Sequence, residues 1–181
     1  MLSAIPNIIT TIRFLLVIPI SVFIYQGNDF FALILFIMAG LSDGLDGYLA
    51  RKYNWISQFG QFLDPLADKF LIVGTLLALA FTNKLPLWFV YTVLSRDGII
   101  LVGSMLYLLL FESSEALPNK WGKHYTGWTI ALFIIILLRA SLEIIPIYLE
   151  YVAMSGVLFY ILLSVTSYLR KEGKEIFKHI V

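Results

Sequence analysis

The stretch SDGLDGYLARKYNWISQFGQFLDPLADK, Ser42–Lys69, decides how the rest of the chain is read. It carries four aspartates, Asp43, Asp46, Asp64 and Asp68, inside a chain of 181 residues that is 60% hydrophobic and 14% charged. Asp43 and Asp46 are three apart and Asp64 and Asp68 four apart, so each pair shares one face of a helix. The polar RKYNWIS between them reads as a turn, which makes the two helices antiparallel neighbours. Asp43 lies eight residues before Arg51, and Asp68 eight after Gly60. At 1.5 Å per residue, both sit about 12 Å below the same rim. The two acidic faces can therefore meet at one depth.

Working outward, the surroundings are those of a membrane protein. Soluble domains carry roughly a quarter charged residues, and the mean hydropathy here is +0.87. Six segments approach the 20 or so apolar residues that a span needs. They are about Ile8–Tyr25, Phe30–Ala50, Ser57–Phe81, Leu87–Phe111, Tyr125–Leu138 and Ile145–Leu169. The loops between them are short, so residues 1–181 are expected to form one helical membrane domain. The residues before Pro6 are expected to make a short interfacial segment, with Asn7 as a helix N-cap. Cysteine is absent, which excludes disulfides, cysteine-ligated zinc and thiol catalysis. The apolar opening has no basic stretch ahead of it, so it reads as a retained first span rather than a cleaved signal.

Lysine and arginine set the expected orientation. With the N-terminus inside, the cytoplasmic side receives Arg13, Arg51, Lys52, Lys120, Lys123, Arg170, Lys171, Lys174 and Lys178. The outer side receives Lys84 and Arg139. Both termini and the aspartates then face the cytoplasm, and the basic tail rests on anionic headgroups or in solvent.

Four carboxylates at membrane depth cannot all stay ionised without cations, because each costs about 2.5–3.5 kcal/mol on insertion scales and they repel one another. Protons could neutralise some of them, as in an ion pathway. Divalent metals are the other resolution, and an oxygen-only donor set favours Mg²⁺ or Mn²⁺ over Zn²⁺. Four carboxylates suit two ions about 3.5–4 Å apart, the arrangement that serves phosphoryl chemistry. Gly44, Gly47, Ala50 and Gly60 flank the acids and would let a large anionic ligand approach the backbone, or would serve helix packing. Arg51 adds a cation at the rim suited to phosphate. A carboxylate relay for transport would scatter its acids across the bilayer, whereas these cluster near one rim.

The pattern Asp43-x-x-Asp46-Gly47-x-x-Ala50-Arg51, eight residues, Gly60, three residues, Asp64, three residues, Asp68 resembles, without gap or substitution, the signature of the CDP-alcohol phosphatidyltransferases. The resemblance covers essentially the whole chain. It implies an all-α six-span fold, usually a homodimer, that transfers a phosphatidyl group from a CDP-activated donor to an alcohol and releases CMP. It implies that Asp43, Asp46, Asp64 and Asp68 hold two divalent cations, Mg²⁺ or Mn²⁺. Asp68 would also be the general base toward the acceptor hydroxyl. Gly47, Ala50, Arg51 and Gly60 would shape the nucleotide pocket, and Asn7 and Thr10 would join them or serve as local helix polar groups.

Within that family the chain resembles the bacterial members that join CDP-diacylglycerol to glycerol 3-phosphate. The opening PNIITTIRF matches a Pro-Asn-x-x-Thr-x-x-Arg start, with Asn7, Thr10 and Arg13 at helical spacing. SRDGII and WGKHYTGW match further segments, although Thr129 stands where related enzymes often have Gln. A phosphorylated acceptor needs cations, and Arg96, Lys123 and Arg13 are the candidates; for Arg96 an intramembrane pair with Asp97 is the alternative. Other acceptors within the family are phosphatidylglycerol, serine or an inositol phosphate. No nucleic-acid partner is expected, and the compartment is expected to be a bacterial inner membrane.

Overall fold

The computed structural model describes residues 5–53, 58–111, 120–142 and 144–170, with backbone only at 5–7, 45–51, 58–62, 106 and 108–111. Six α-helices follow in order: α1 (Ile5–Tyr25), α2 (Asp29–Tyr53), α3 (Gln58–Phe81), α4 (Leu87–Phe111), α5 (Lys120–Leu142) and α6 (Tyr148–Tyr168). Among the described residues, α1, α4, α5 and α6 are long and apolar enough to cross a bilayer. Helix α3 carries Asp64, Asp68 and Lys69 together in any stretch of it long enough to span, which sets it apart from those four. The chain is an all-helical integral membrane protein.

The sequence places the helices well and their ends less well. Helix α1 takes Pro6 and Asn7 into its first turn. A proline there loses only an N–H that has no helical partner in any case, so Asn7 is not the cap. Helix α5 begins at Lys120 rather than near Tyr125, and α6 at Tyr148, just past Pro146. Hydropathy marks the bilayer core, whereas a helix runs on into the headgroup region.

Two turns have an identifiable cause. After α1, Gly27 takes φ +76°, its N–H bonds to Ile24 O, and Asn28 N–H bonds to Phe23 O at 2.9 Å. After α3, Asn83 takes φ 57°, with Asn83 N–H on Ala80 O and Lys84 N–H on Leu79 O. Both are left-handed helix stops in which glycine or asparagine tolerates the conformation and caps stranded carbonyls. Beside these stops, Lys84 pairs with the buried Asp29 in the first turn of α2, tying two helix ends together.

The chain divides into two units. The first holds α1, α2, α3 and the end of α5 from Phe133. In it, α1 packs against both α2 and α3. Its lipid-type face is Ile8, Ile12, Leu15, Ile18 and Val22, all exposed; its buried face is Thr10, Arg13, Ile20 and Ile24. This is the amphipathic pattern of a soluble helix turned inside out. Gly74 of α3 meets α1 so closely that a Cβ there would collide with Val17. Phe36 of α2 meets Phe133 edge to face, with centroids 5.9 Å apart.

The second unit holds α4, the start of α5 and α6. Small residues again set its approaches: a Cβ on Gly103 would strike the ring of Tyr168, and one on Gly156 the indole of Trp128. Hydroxyls of Thr126, Thr129, Ser155 and Thr166 bond back to carbonyls four residues earlier, which satisfies them without water.

Candidate active site

The aspartates are organised from α1. Thr10 Oγ1 donates a 2.6 Å hydrogen bond to Asp64 Oδ1. One turn further, Arg13 Nη1 reaches Asp43 Oδ1 of α2 at 2.9 Å and Asp68 Oδ1 of α3 at 3.0 Å. Two oxygens within those distances of one nitrogen are at most about 5.9 Å apart. The acidic faces of α2 and α3 thus converge, and one guanidinium spans them. Arg13 is 0% exposed, whereas the Asp43 and Asp68 side chains are 48% and 46% exposed. The arginine approaches from inside the protein, and each of the two carboxylate side chains keeps about half of its surface exposed.

Thr10 is buried, and its bond to Asp64 gives it a task other than, or beyond, the nucleotide contact expected of it. Arg13 was expected at an acceptor phosphate; the structure places it buried and paired with two carboxylates. A charge count holds the signal: Thr10-x-x-Arg13 is a polar step on a helix that is otherwise apolar around it, opposite acids that need a cation. The side chains of Asn7, Asp46, Gly47, Ala50, Arg51 and Gly60 lie outside the described residues.

Whether these residues suit divalent ions is answered by their chemistry. Asp43 and Asp68 present oxygen alone, half open, from two helices. That is the donor set of a hard cation such as Mg²⁺. Among the described residues, no three acidic or histidine side chains come close enough to hold an ion by themselves.

The second unit contains the other cations. Arg96 is buried in α4, with Nη1 on Asp97 Oδ1 at 2.8 Å and Nη2 on Ser164 Oγ of α6 at 2.7 Å. Its guanidinium also lies over the Tyr125 ring, 4.2 Å from the centroid. The Asp97 pair weighed from the sequence is present, and Ser164 and Tyr125 join it. Neither partner was legible, because contacts 68 residues apart leave no spacing pattern. Lys123 is exposed and lines an open groove with His124, Gly127, Trp128 and Ala131. His124 lies in α5, and its ring stacks on Tyr160 with centroids 5.4 Å apart.

A helical membrane protein that gathers carboxylates from two adjacent helices around a shared cation is built for chemistry on phosphate at a lipid boundary. The CDP-alcohol phosphatidyltransferase family model matches residues 3–166, and the chain belongs to that family. Its relatives include a CDP-diacylglycerol–glycerol-3-phosphate 3-phosphatidyltransferase of Aquifex aeolicus, 32% identical over 96% of this chain and 98% of the relative. One of the same description from Bacillus subtilis is 35% identical over 76% of this chain and 71% of the relative. A cardiolipin synthase (CMP-forming) of Streptomyces coelicolor is 40% identical over 54% of this chain. The chain spans about half of that relative's length, 48%.

Proposed function

We propose that this chain transfers a phosphatidyl group from CDP-diacylglycerol to glycerol 3-phosphate, giving phosphatidylglycerophosphate and CMP. The observation that carries the reading is the convergence of Asp43 and Asp68 on one buried guanidinium, with each side chain about half exposed. The acceptor rests on two relatives named for glycerol 3-phosphate, aligned over 98% and 71% of their own lengths.

In this reading Asp43, Asp46, Asp64 and Asp68 hold two divalent cations, Mg²⁺ or Mn²⁺. The ions supply charge stabilisation on the donor's diphosphate. The chain's own residues do the rest. Asp68 takes the proton from the acceptor hydroxyl, within hydrogen-bond reach of it. The hydroxyl oxygen then attacks the lipid-side phosphorus, the bond to CMP breaks, and no covalent enzyme intermediate is needed. Gly47, Ala50, Arg51, Gly60, Asn7 and Thr10 border the nucleotide. Arg96 and Lys123 are assigned to the acceptor's phosphate from the sequence resemblance, and Arg96 would have to share its guanidinium with Asp97 and Ser164. We place residues 1–181 in one catalytic domain of a homodimer in a bacterial inner membrane, with both termini and the active site facing the cytoplasm.

The Streptomyces relative favours a second acceptor, phosphatidylglycerol, which would make the product cardiolipin. The test is CMP release by the purified protein from CDP-diacylglycerol, with each acceptor offered separately. Glycerol 3-phosphate is expected to support turnover that chelation by EDTA stops. Turnover with phosphatidylglycerol alone would replace the assignment.

A further inference from the structure

Arg13 is one of the largest fully buried side chains in the described structure, and it is charged. A buried guanidinium is costly unless its partners compensate it. Its partners are carboxylates from two different helices, each about half exposed. We propose that Arg13 is a positioning residue for the divalent-ion site. It holds Asp43 and Asp68 from beneath, so that the two half-exposed carboxylates are presented together before any ion arrives. The inference rests on the reading of these aspartates as metal ligands.

Three observations support it. First, each carboxylate meets Arg13 through Oδ1 while its side chain stays about half exposed, so an ion can still reach each from solvent. Second, without Arg13 the two acids would face each other at membrane depth with repulsion alone, and they would splay or take up protons. Third, α1 packs against both α2 and α3, and meets α3 closely where Gly74 faces Val17, so the arginine is carried by a helix held to both acidic helices. Outer-shell groups that orient ligating carboxylates typically contribute 10–100-fold to metal affinity.

A competing electrostatic effect has the opposite sign. A positive charge near the ion weakens binding, so removing it should tighten the site. The geometry decides between them: the arginine is fully buried and the ion would enter from solvent, with the carboxylates between the two cations.

Mn²⁺ titration of the purified full-length protein in detergent micelles, followed by electron paramagnetic resonance without substrate, tests the inference. Arg13→Gln is expected to raise the Mn²⁺ dissociation constant by about 10–100-fold. It should lower kcat little once Mn²⁺ is raised in proportion, a recovery that general structural damage would not give. Arg13→Lys keeps the charge but loses the planar fork, and it should weaken binding in the same direction by less. An Arg13→Gln protein that binds Mn²⁺ as tightly as the parent, or more tightly, overturns the proposal. Should that variant not fold, parental affinity in Arg13→Lys overturns it equally. Failure of the underlying reading looks different: the parent and Asp43→Asn would then bind Mn²⁺ alike, or not at all.

Discussion

Thr10→Val is the most informative single change in the first unit. Valine keeps the shape of threonine and removes the hydroxyl that donates to Asp64 at 2.6 Å. A hydrogen bond to a charged acceptor contributes about 1.5–3 kcal/mol in soluble proteins. Measured bonds between membrane helices are weaker, averaging about 0.6 and reaching about 1.7 kcal/mol. Asp64 is a carboxylate and only half-buried, so a figure toward the upper end of the membrane range, about 1.4 kcal/mol, is reasonable. That energy corresponds to about a tenfold change in rate if it all goes into positioning Asp64. The assay is CMP release from CDP-diacylglycerol in mixed micelles at saturating Mg²⁺ and acceptor. Thr10→Ser, which keeps the hydroxyl, should recover most of the loss. Two results refute the reasoning. One is a valine variant within twofold of the parent. The other is a loss beyond a thousandfold with unchanged melting temperature, because so large an effect would place Thr10 against substrate.

Asp68→Asn keeps the size of the side chain and removes its basicity, so turnover should fall by about 10²–10⁴-fold while CDP-diacylglycerol still protects the protein against thermal unfolding; substantial remaining turnover would assign the base elsewhere. Gly74→Ala should destabilise the first unit by about 1–3 kcal/mol of overpacking, because its Cβ meets Val17, and should lower turnover by shifting α1. Adding Val17→Ala should restore both, as read by melting temperature and CMP release. Lys84→Met leaves Asp29 buried without its cation. Stability should fall by about 3 kcal/mol, while turnover per folded molecule stays at the parental level, since this pair lies at the other end of α2 and α3 from the acids.

What the sequence disclosed follows from the kinds of information it holds. Spacings of three and four are local, so the faces of Asp43 with Asp46 and of Asp64 with Asp68 could be read directly. Turn residues are local too, and QGND and TNKLP mark the stops at Gly27 and Asn83. The pairing of Arg13 with acids about 30 and 55 residues away is not local. The sequence offered Arg13 as a cation for the acceptor's phosphate, and no local pattern pointed to its carboxylate partners; the packing of α1 against both acidic helices brings them together. For Arg96 the neighbouring Asp97 was legible, but its partner Ser164 could not be told from the other polar residues of α6.

The two helices that bear the signature, α2 and α3, carry acids within otherwise apolar stretches. Each inserted carboxylate carries about 2.5–3.5 kcal/mol of penalty. Helix α1 is strongly apolar, yet it carries Thr10 and Arg13 on the face turned toward them. Those two side chains answer three of the four signature acids. A site that needs bare carboxylates at membrane depth cannot neutralise them with its own neighbours on α2 or α3 without blocking the open side. Placing the compensating cation on a third helix, behind the acids, satisfies the membrane and leaves the catalytic face free. On this argument, the polar step of α1 is as much a part of the reaction machinery as the aspartates it holds.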